Sequence, residues 1–166
     1  MQLSILAHAK NYLLAHLFCL FAMLPVKKLL EGKSDHHVWS VSPTSMVIDA
    51  LQLMSEKNIG SVLVMDDERL VGIFSERDYA RKGILQGRKA KSTPVAEVMT
   101  SEVITVSPEM SIEDCMRLFN DKRIRHLPVV EGGRVIGLLS IGDIVHAIIR
   151  EQSVHIQFLE QYISGI

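Results

Sequence analysis

Apolar and polar positions alternate along this chain in an order that occurs twice. Each copy opens on a β-type stretch, Val38-Trp39-Ser40-Val41 in the first and Val103-Ile104-Thr105-Val106 in the second. Both stretches stop at Ser-Pro, where proline removes a ladder donor. Apolar residues then recur at Val47, Ala50, Leu51 and Met54, and again at Ile112, Cys115, Met116 and Phe119. That spacing predicts an amphipathic helix in each copy. Ser111 with Asp114 three residues on has the pattern of a capping box. Two β-rich runs follow in each copy, SVLVM then LVGIFS, and HLPVV then VIGLLS. Their connections, Asp66-Asp67-Glu68 and Glu131-Gly132-Gly133, predict hairpins. A second helix starts at Ser75 or Ser140.

The two copies align without a gap. A shift of 65 residues lays Val38–Asp78 on Val103–Asp143, and 13 of the 41 positions are identical. Among them are Val41-Ser42-Pro43 on Val106-Ser107-Pro108, Gly72 on Gly137, Ser75 on Ser140 and Asp78 on Asp143. The unit is β-α-β-β-α, and one unit buries too little surface to stand alone. Two units packed with pseudo-two-fold symmetry predict one mixed α/β (α+β) domain. Lys82–Thr93 reads as a connector, and Pro94 then opens VAEVMT, matched before the first repeat by VKKLLE. The expected divisions are an apolar N-terminal extension over 1–24, helical, and a first repeat with connector over 25–92. The second repeat takes 93–150, and a C-terminal helical extension takes 151–166. Beyond Asp143 the apolar period continues through Ile144, Ile148, Ile149, Ile156, Leu159 and Ile163. The part past Arg150 has two readings, packing on a second subunit or the N-terminal segment, or docking on its own domain.

Residues 12–24, YLLAHLFCLFAML, are nearly all apolar, but a membrane span needs about 20 such residues. No A-x-A site follows. Three readings stand: a helix packing on a partner or membrane surface, an extension ahead of a true start at Met23, or a cleaved or anchoring segment. Composition narrows the rest. Apolar residues are 48% and charged residues 22% of the chain, which excludes a disordered tail or fibre. Aromatics are 5%, so Val, Ile, Leu and eight Met must build the core. Eighteen basic and 19 acidic residues leave a net charge of −1, without a global basic field for nucleic acid. Two cysteines, Cys19 and Cys115, are too few for a disulfide scaffold and fit a reducing compartment. The histidines are scattered, with His36-His37 the one adjacent pair, and no metal site is expected. No P-loop, G-x-G-x-x-G or nucleophile–base arrangement is present. Enzymatic activity is not expected.

These marks carry a resemblance: Ser-Pro before the first helix, IGSVLVM-DDE-RLVGIFSERD in one copy and IRHLPVV-EGG-RVIGLLSIGD in the other. Over residues 25–150 the chain resembles a pair of CBS domains, the Bateman module named from cystathionine β-synthase. The resemblance implies a stand-alone cytoplasmic sensor that binds adenine nucleotides between its repeats and forms homodimers.

Ser75-Glu76-Arg77-Asp78 and Ser140-Ile141-Gly142-Asp143 lie where a strand turns into a helix. Free N–H groups there favour an anion, and a carboxylate three residues on can accept ribose hydroxyls. An ordinary capping box has the same sequence. The resemblance gives the Asp to the ribose and the Ser to the sugar or phosphate. It also implies that Arg125 and His126, before Pro128, reach the phosphates of the nucleotide at Asp78. Ile73, Val103 and Ile104 would line that adenine pocket. Val38, Trp39, Ser61 and Leu138 would line the Asp143 pocket, which lacks the cation pair. Arg77 and Arg81, one helical turn apart, would add phosphate contacts; a solvated helix face is the plainer alternative.

The leading expectation is therefore a homodimeric regulatory module for AMP, ADP, ATP or NAD, AMP foremost, acting on an unknown downstream protein. The alternatives are a structural dimerisation platform without ligand, and an enzyme fragment or regulatory subunit of a transporter or dehydrogenase.

Overall fold

The computed structural model describes residues 24–33 and 37–164. The readings of residues 12–24 fall outside this range except at Leu24, as does His36.

Both predicted amphipathic helices form, with the expected faces inward. Helix α1 covers Val26–Glu31, strand β1 Ser40–Val41 and helix α2 Val47–Lys57. Strands β2 (Ser61–Asp66) and β3 (Arg69–Ser75) follow, then helix α3 (Glu76–Asp78). The second copy supplies helix α4 (Ile112–Lys122), strands β4 (His126–Glu131) and β5 (Arg134–Ser140), and helix α5 (Ile141–Ser164). Val47, Ala50 and Met54 are buried on α2, and Ile112, Cys115 and Phe119 on α4. Met116, expected on the apolar face of α4, is exposed instead. Each helix ends on a left-handed residue, Asn58 and Arg123, at matching positions.

The β-strands are less symmetric than the sequence suggests. β1, β2 and β3 form one sheet, with β1 parallel to β2 and β2 antiparallel to β3. β4 and β5 form a two-stranded sheet. The expected strand Val103–Val106 is not formed. In the first copy the Leu63 N–H donates to the Trp39 carbonyl at 3.0 Å. The residue aligned with Leu63 is Pro128, which has no N–H to give Ile104 the same bond. At the tip of the second hairpin, Gly132 and Gly133 take φ of 56° and 82°, the sign a two-residue primed turn demands.

Two compact units emerge, and neither is one repeat. Among the described residues, the first joins 24–33 to Val106–Leu127 and 139–164; the second joins 37–105 to Pro128–Leu138. The cause lies in the short segments that precede each repeat. In the second unit Pro94 bridges Met46, Val95 N–H donates to the Ser45 carbonyl at 2.8 Å, and Ala96 N–H to Pro43 at 3.0 Å. Val47 N–H donates back to Thr93 at 2.9 Å. In the first unit Pro25 bridges Ser111, Val26 N–H donates to Met110 and Lys27 N–H to Pro108, both at 2.9 Å. Ile112 N–H donates back to Leu24 at 3.0 Å. Each Pro-Val leader thus docks on the first helix of the other repeat. The donors at a helix N-terminus need partners from outside the helix, and the chain just ahead of each Pro-Val supplies one, the Thr93 carbonyl for α2 and the Leu24 carbonyl for α4.

The core of the second unit packs Val47, Ala50 and Met54 of α2 against Val62, Val64 and Phe74 of the sheet, with Val95 and Val98 of the leader. In the first unit Val26, Leu29, Ile112, Cys115, Phe119, Leu127, Leu139 and Ile144 are buried, and α1 and α4 both contact α5. On the long α5, Ile144 is buried while Val145, Ile149 and Ile156 are exposed. Phe74→Ala should lower unfolding free energy by about 3–5 kcal/mol in urea melts. Leu85→Ala, on a residue 80% exposed, should stay within about 0.5 kcal/mol. Burial, reinforced by Asp114, pushes the Cys115 thiol from 9.0 up to about 11. The unfolded chain therefore ionises this thiol first. Stability contributed by the neutral thiol is whole below pH 9 and should fall as pH rises towards 11. Cys115→Ala should flatten that decline in denaturation midpoints measured across the range.

Candidate functional site

Strand β3 ends at Ser75, and the chain turns at once into α3. Ser75 and Asp78 close a full capping box: the Asp78 N–H donates to Ser75 Oγ at 3.3 Å and the Ser75 N–H to Asp78 Oδ2 at 3.1 Å. The Ser75 hydroxyl adds a bond to Oδ2 at 2.5 Å. After α3 the chain winds into a π-helical turn over Tyr79–Gly83 and a 3₁₀ turn over Ile84–Gln86. Gly83 is required there, since a Cβ would lie 2.4 Å from the Tyr79 ring. Lys82, expected in the connector, belongs to this turn. Its ammonium lies 3.1 Å from Asp78 Oδ1 and donates to the Met99 carbonyl and Thr100 Oγ1, each at 3.0 Å. Thr100 is held by a two-way backbone bridge to Ile73, both bonds 2.9 Å. Its hydroxyl donates to Asp78 Oδ1 at 3.1 Å.

The second copy repeats the motif with a different cation. Ser140 N–H and Oγ donate to Asp143 Oδ2 at 2.7 and 2.8 Å, and Asp143 N–H donates to Ser140 Oγ at 3.2 Å. Lys33, from the segment after α1, pairs with Asp143 Oδ2 at 2.9 Å. Arg150 of α5 also holds this segment, donating to the Gly32 carbonyl at 3.4 Å. The expected lack of the Arg125-His126 pair at Asp143 does not leave that carboxylate without a cation.

Both hairpins feed these turns in the same way. The Glu76 N–H donates to the Gly60 carbonyl at 3.3 Å, and the Ile141 N–H to Arg125 at 3.1 Å. Arg125 is exposed and His126, the first residue of β4, half-buried; Pro128 is buried within β4. Ile73, Val103 and Ile104 are half-buried, as is Arg77, while Arg81 is exposed. Ser61 opens β2 directly opposite Ser75, so both side chains stand on one face of the hairpin. Its hydroxyl is buried without a hydrogen-bond partner among the described residues. Val38 and Leu138 are half-buried. Trp39 stacks on His37 with centroids 4.8 Å apart, and Lys57 Nζ lies 4.4 Å from its ring centroid. Among the described residues no three His, Cys, Asp or Glu side chains gather to hold a metal ion. No described helix is long and apolar enough to cross a membrane.

The two Ser-x-x-Asp turns thus stand at matching positions, each at the end of a hairpin. The model of the CBS domain matches residues 30–83 and 95–150. This chain belongs to the CBS-domain family. A mitochondrial CBS domain-containing protein of Arabidopsis thaliana, CBSX3, is 43% identical over 141 residues, covering 81% of this chain and 68% of its own. A solved protein with CBS domains from Burkholderia ambifaria MC40-6 shares 46% identity at a TM-score of 0.76, over 78% of this chain and 96% of its own. The CBS domain pair of protein MJ0100, solved with 5′-methylthioadenosine and S-adenosyl-L-methionine, has a TM-score of 0.67 at 24% identity, over 75% of this chain and 99% of its own. That likeness is one of fold. The chain is thus a CBS pair of α+β architecture.

Lys82, Lys33 and Thr100 were not read from the sequence as partners of the two carboxylates. Lys82 stands four residues after Asp78, the spacing of a helical ion pair, and could have been found. Thr100 and Lys33 reach their carboxylates only through tertiary contacts and leave no local signal. In this CBS pair Ser75→Ala removes the cap of α3 and should cost about 1–2 kcal/mol in chemical denaturation.

Proposed function

We propose that this chain is a regulatory module that binds an adenine nucleotide through its Ser-x-x-Asp turns. The observation that carries the reading is the pair of sheltered carboxylates, Asp78 and Asp143, fixed at equivalent strand-to-helix turns. Each carboxylate is held in one orientation by its Ser, a requirement for recognising a vicinal diol at low entropic cost. Membership of the CBS family supports adenosine-based ligands as the class. AMP is the first candidate, with ADP, ATP and NAD behind it.

In this reading Asp78 takes the ribose, Ser75 lies by the sugar or phosphate, and Ile73, Val103 and Ile104 contact the adenine. Arg77, Arg81, Arg125 and His126 supply charge for phosphate, with Pro128 shaping the strand beside them. Asp143 and Ser140, with Val38, Trp39, Ser61 and Leu138, serve a second nucleotide. The module works as a cytoplasmic homodimer and passes its state to a downstream protein. A ligand shifts such an equilibrium only through unequal affinity for two states. No catalytic role is proposed.

A second reading has its own observation: Asp78 already has a donor on each oxygen, Ser75 on one and Thr100 on the other, so the turn can be structural alone and the module a platform for dimerisation. Calorimetry with AMP separates the two. Asp78→Ala should weaken AMP at least about tenfold, as expected for losing charge-assisted hydrogen bonds. Arg125→Ala tests the phosphate cation and should weaken AMP more than adenosine. Unchanged AMP affinity in both variants overturns the assignment of a nucleotide to the Asp78 turn. Absence of any thermal stabilisation by millimolar adenine nucleotides favours the platform.

A further inference from the structure

Three hydroxyls stand around the Asp78 turn, and two of them have committed their protons. Ser75 Oγ donates to Asp78 Oδ2 at 2.5 Å and Thr100 Oγ1 to Oδ1 at 3.1 Å. The third belongs to Ser61, directly opposite Ser75 in the hairpin. The bond from the Glu76 N–H to the Gly60 carbonyl makes Ser61 and Ser75 a non-hydrogen-bonded pair. In such a pair the two side chains share a face and stand closest together. Ser61 is 2% exposed, and its hydroxyl has no hydrogen-bond partner among the described residues. Buried hydroxyls are nearly always satisfied. This one has a proton to give and no described protein group to take it.

We propose that the Ser61 hydroxyl donates to a ribose hydroxyl whose own proton goes to Asp78. The proposal rests on the reading that Asp78 receives the sugar. An ionised carboxylate accepts and cannot donate. A sugar hydroxyl that gives its proton to Asp78 therefore keeps an oxygen whose lone pairs need a donor once water is excluded. The Ser75 and Thr100 protons already lie on Asp78. Ser61 has the free proton, on the face of the hairpin that carries Ser75. The resemblance groups Ser61 with Asp143, whereas the strand register puts it beside the Asp78 turn. In the second copy the aligned position is His126, so the two turns offer a sugar different donors there.

Calorimetry with AMP on two backgrounds reads each turn by itself. In Asp143→Asn, Ser61→Ala should weaken AMP about fivefold, the worth of one neutral hydrogen bond. In Asp78→Asn, the same change should leave the affinity as it was. The unliganded Ser61→Ala protein should keep its thermal midpoint or gain about 2–4 °C, since an unmet buried hydroxyl has been removed. An unchanged affinity on the first background, a loss on the second, or a lowered midpoint overturns the proposal. The last would mark the hydroxyl as a structural bond. The ribose reading stands in each case if adding Asp78→Asn to Asp143→Asn still weakens AMP. If that double variant binds AMP as Asp143→Asn does, no sugar sits at Asp78, and the reading and the proposal fall together.

Discussion

The fold depends on an exchange of two short segments. Pro25-Val26 closes the start of α4, and Pro94-Val95 closes the start of α2. A helix N-terminus exposes backbone donors that must be met, and the side chain at Met46 cannot meet them. Ser111 has a hydroxyl for the task, yet the leader is present there as well. What the leaders add is therefore burial along with hydrogen bonds: Val26 and Val95 are both fully inaccessible to solvent. The same exchange explains why the compact units cut across the repeats.

At the two Ser-x-x-Asp turns the capping and binding readings are not rivals in geometry. The residues that cap a helix are those that fix a carboxylate. What distinguishes the turns is the cation each recruits. At Asp78 it comes from the turn's own π-helical continuation, and at Asp143 from the segment after α1. The repeats have kept the box and diverged in its surroundings.

Much of this was legible in the sequence because the signals are local. Helix faces follow the spacing of Val47, Ala50 and Met54, and the hairpin turn at Gly132-Gly133 follows from two residues that tolerate positive φ. The Ser–Asp boxes follow from a spacing of three. The losses are equally physical. The strand expected at Val103–Val106 failed because its partner position holds Pro128, a fact visible in the alignment of the repeats but not in the stretch itself. The leader exchange, Thr100 and Lys33 depend on which distant backbone lies alongside, and periodicity carries no such information.

The crossed leaders also bear on the order in which a ribosome makes this chain. Helix α2 is complete at Lys57, but the segment that closes it is not made until Pro94 and Val95 appear. The Pro25-Val26 leader is made first and has no helix to close until Ile112 has emerged. Contacts that must wait for distant chain are slow to form and leave apolar surface uncovered meanwhile. The nascent first repeat, although it contains all its own strands, cannot close α2 before the leader of the second has emerged.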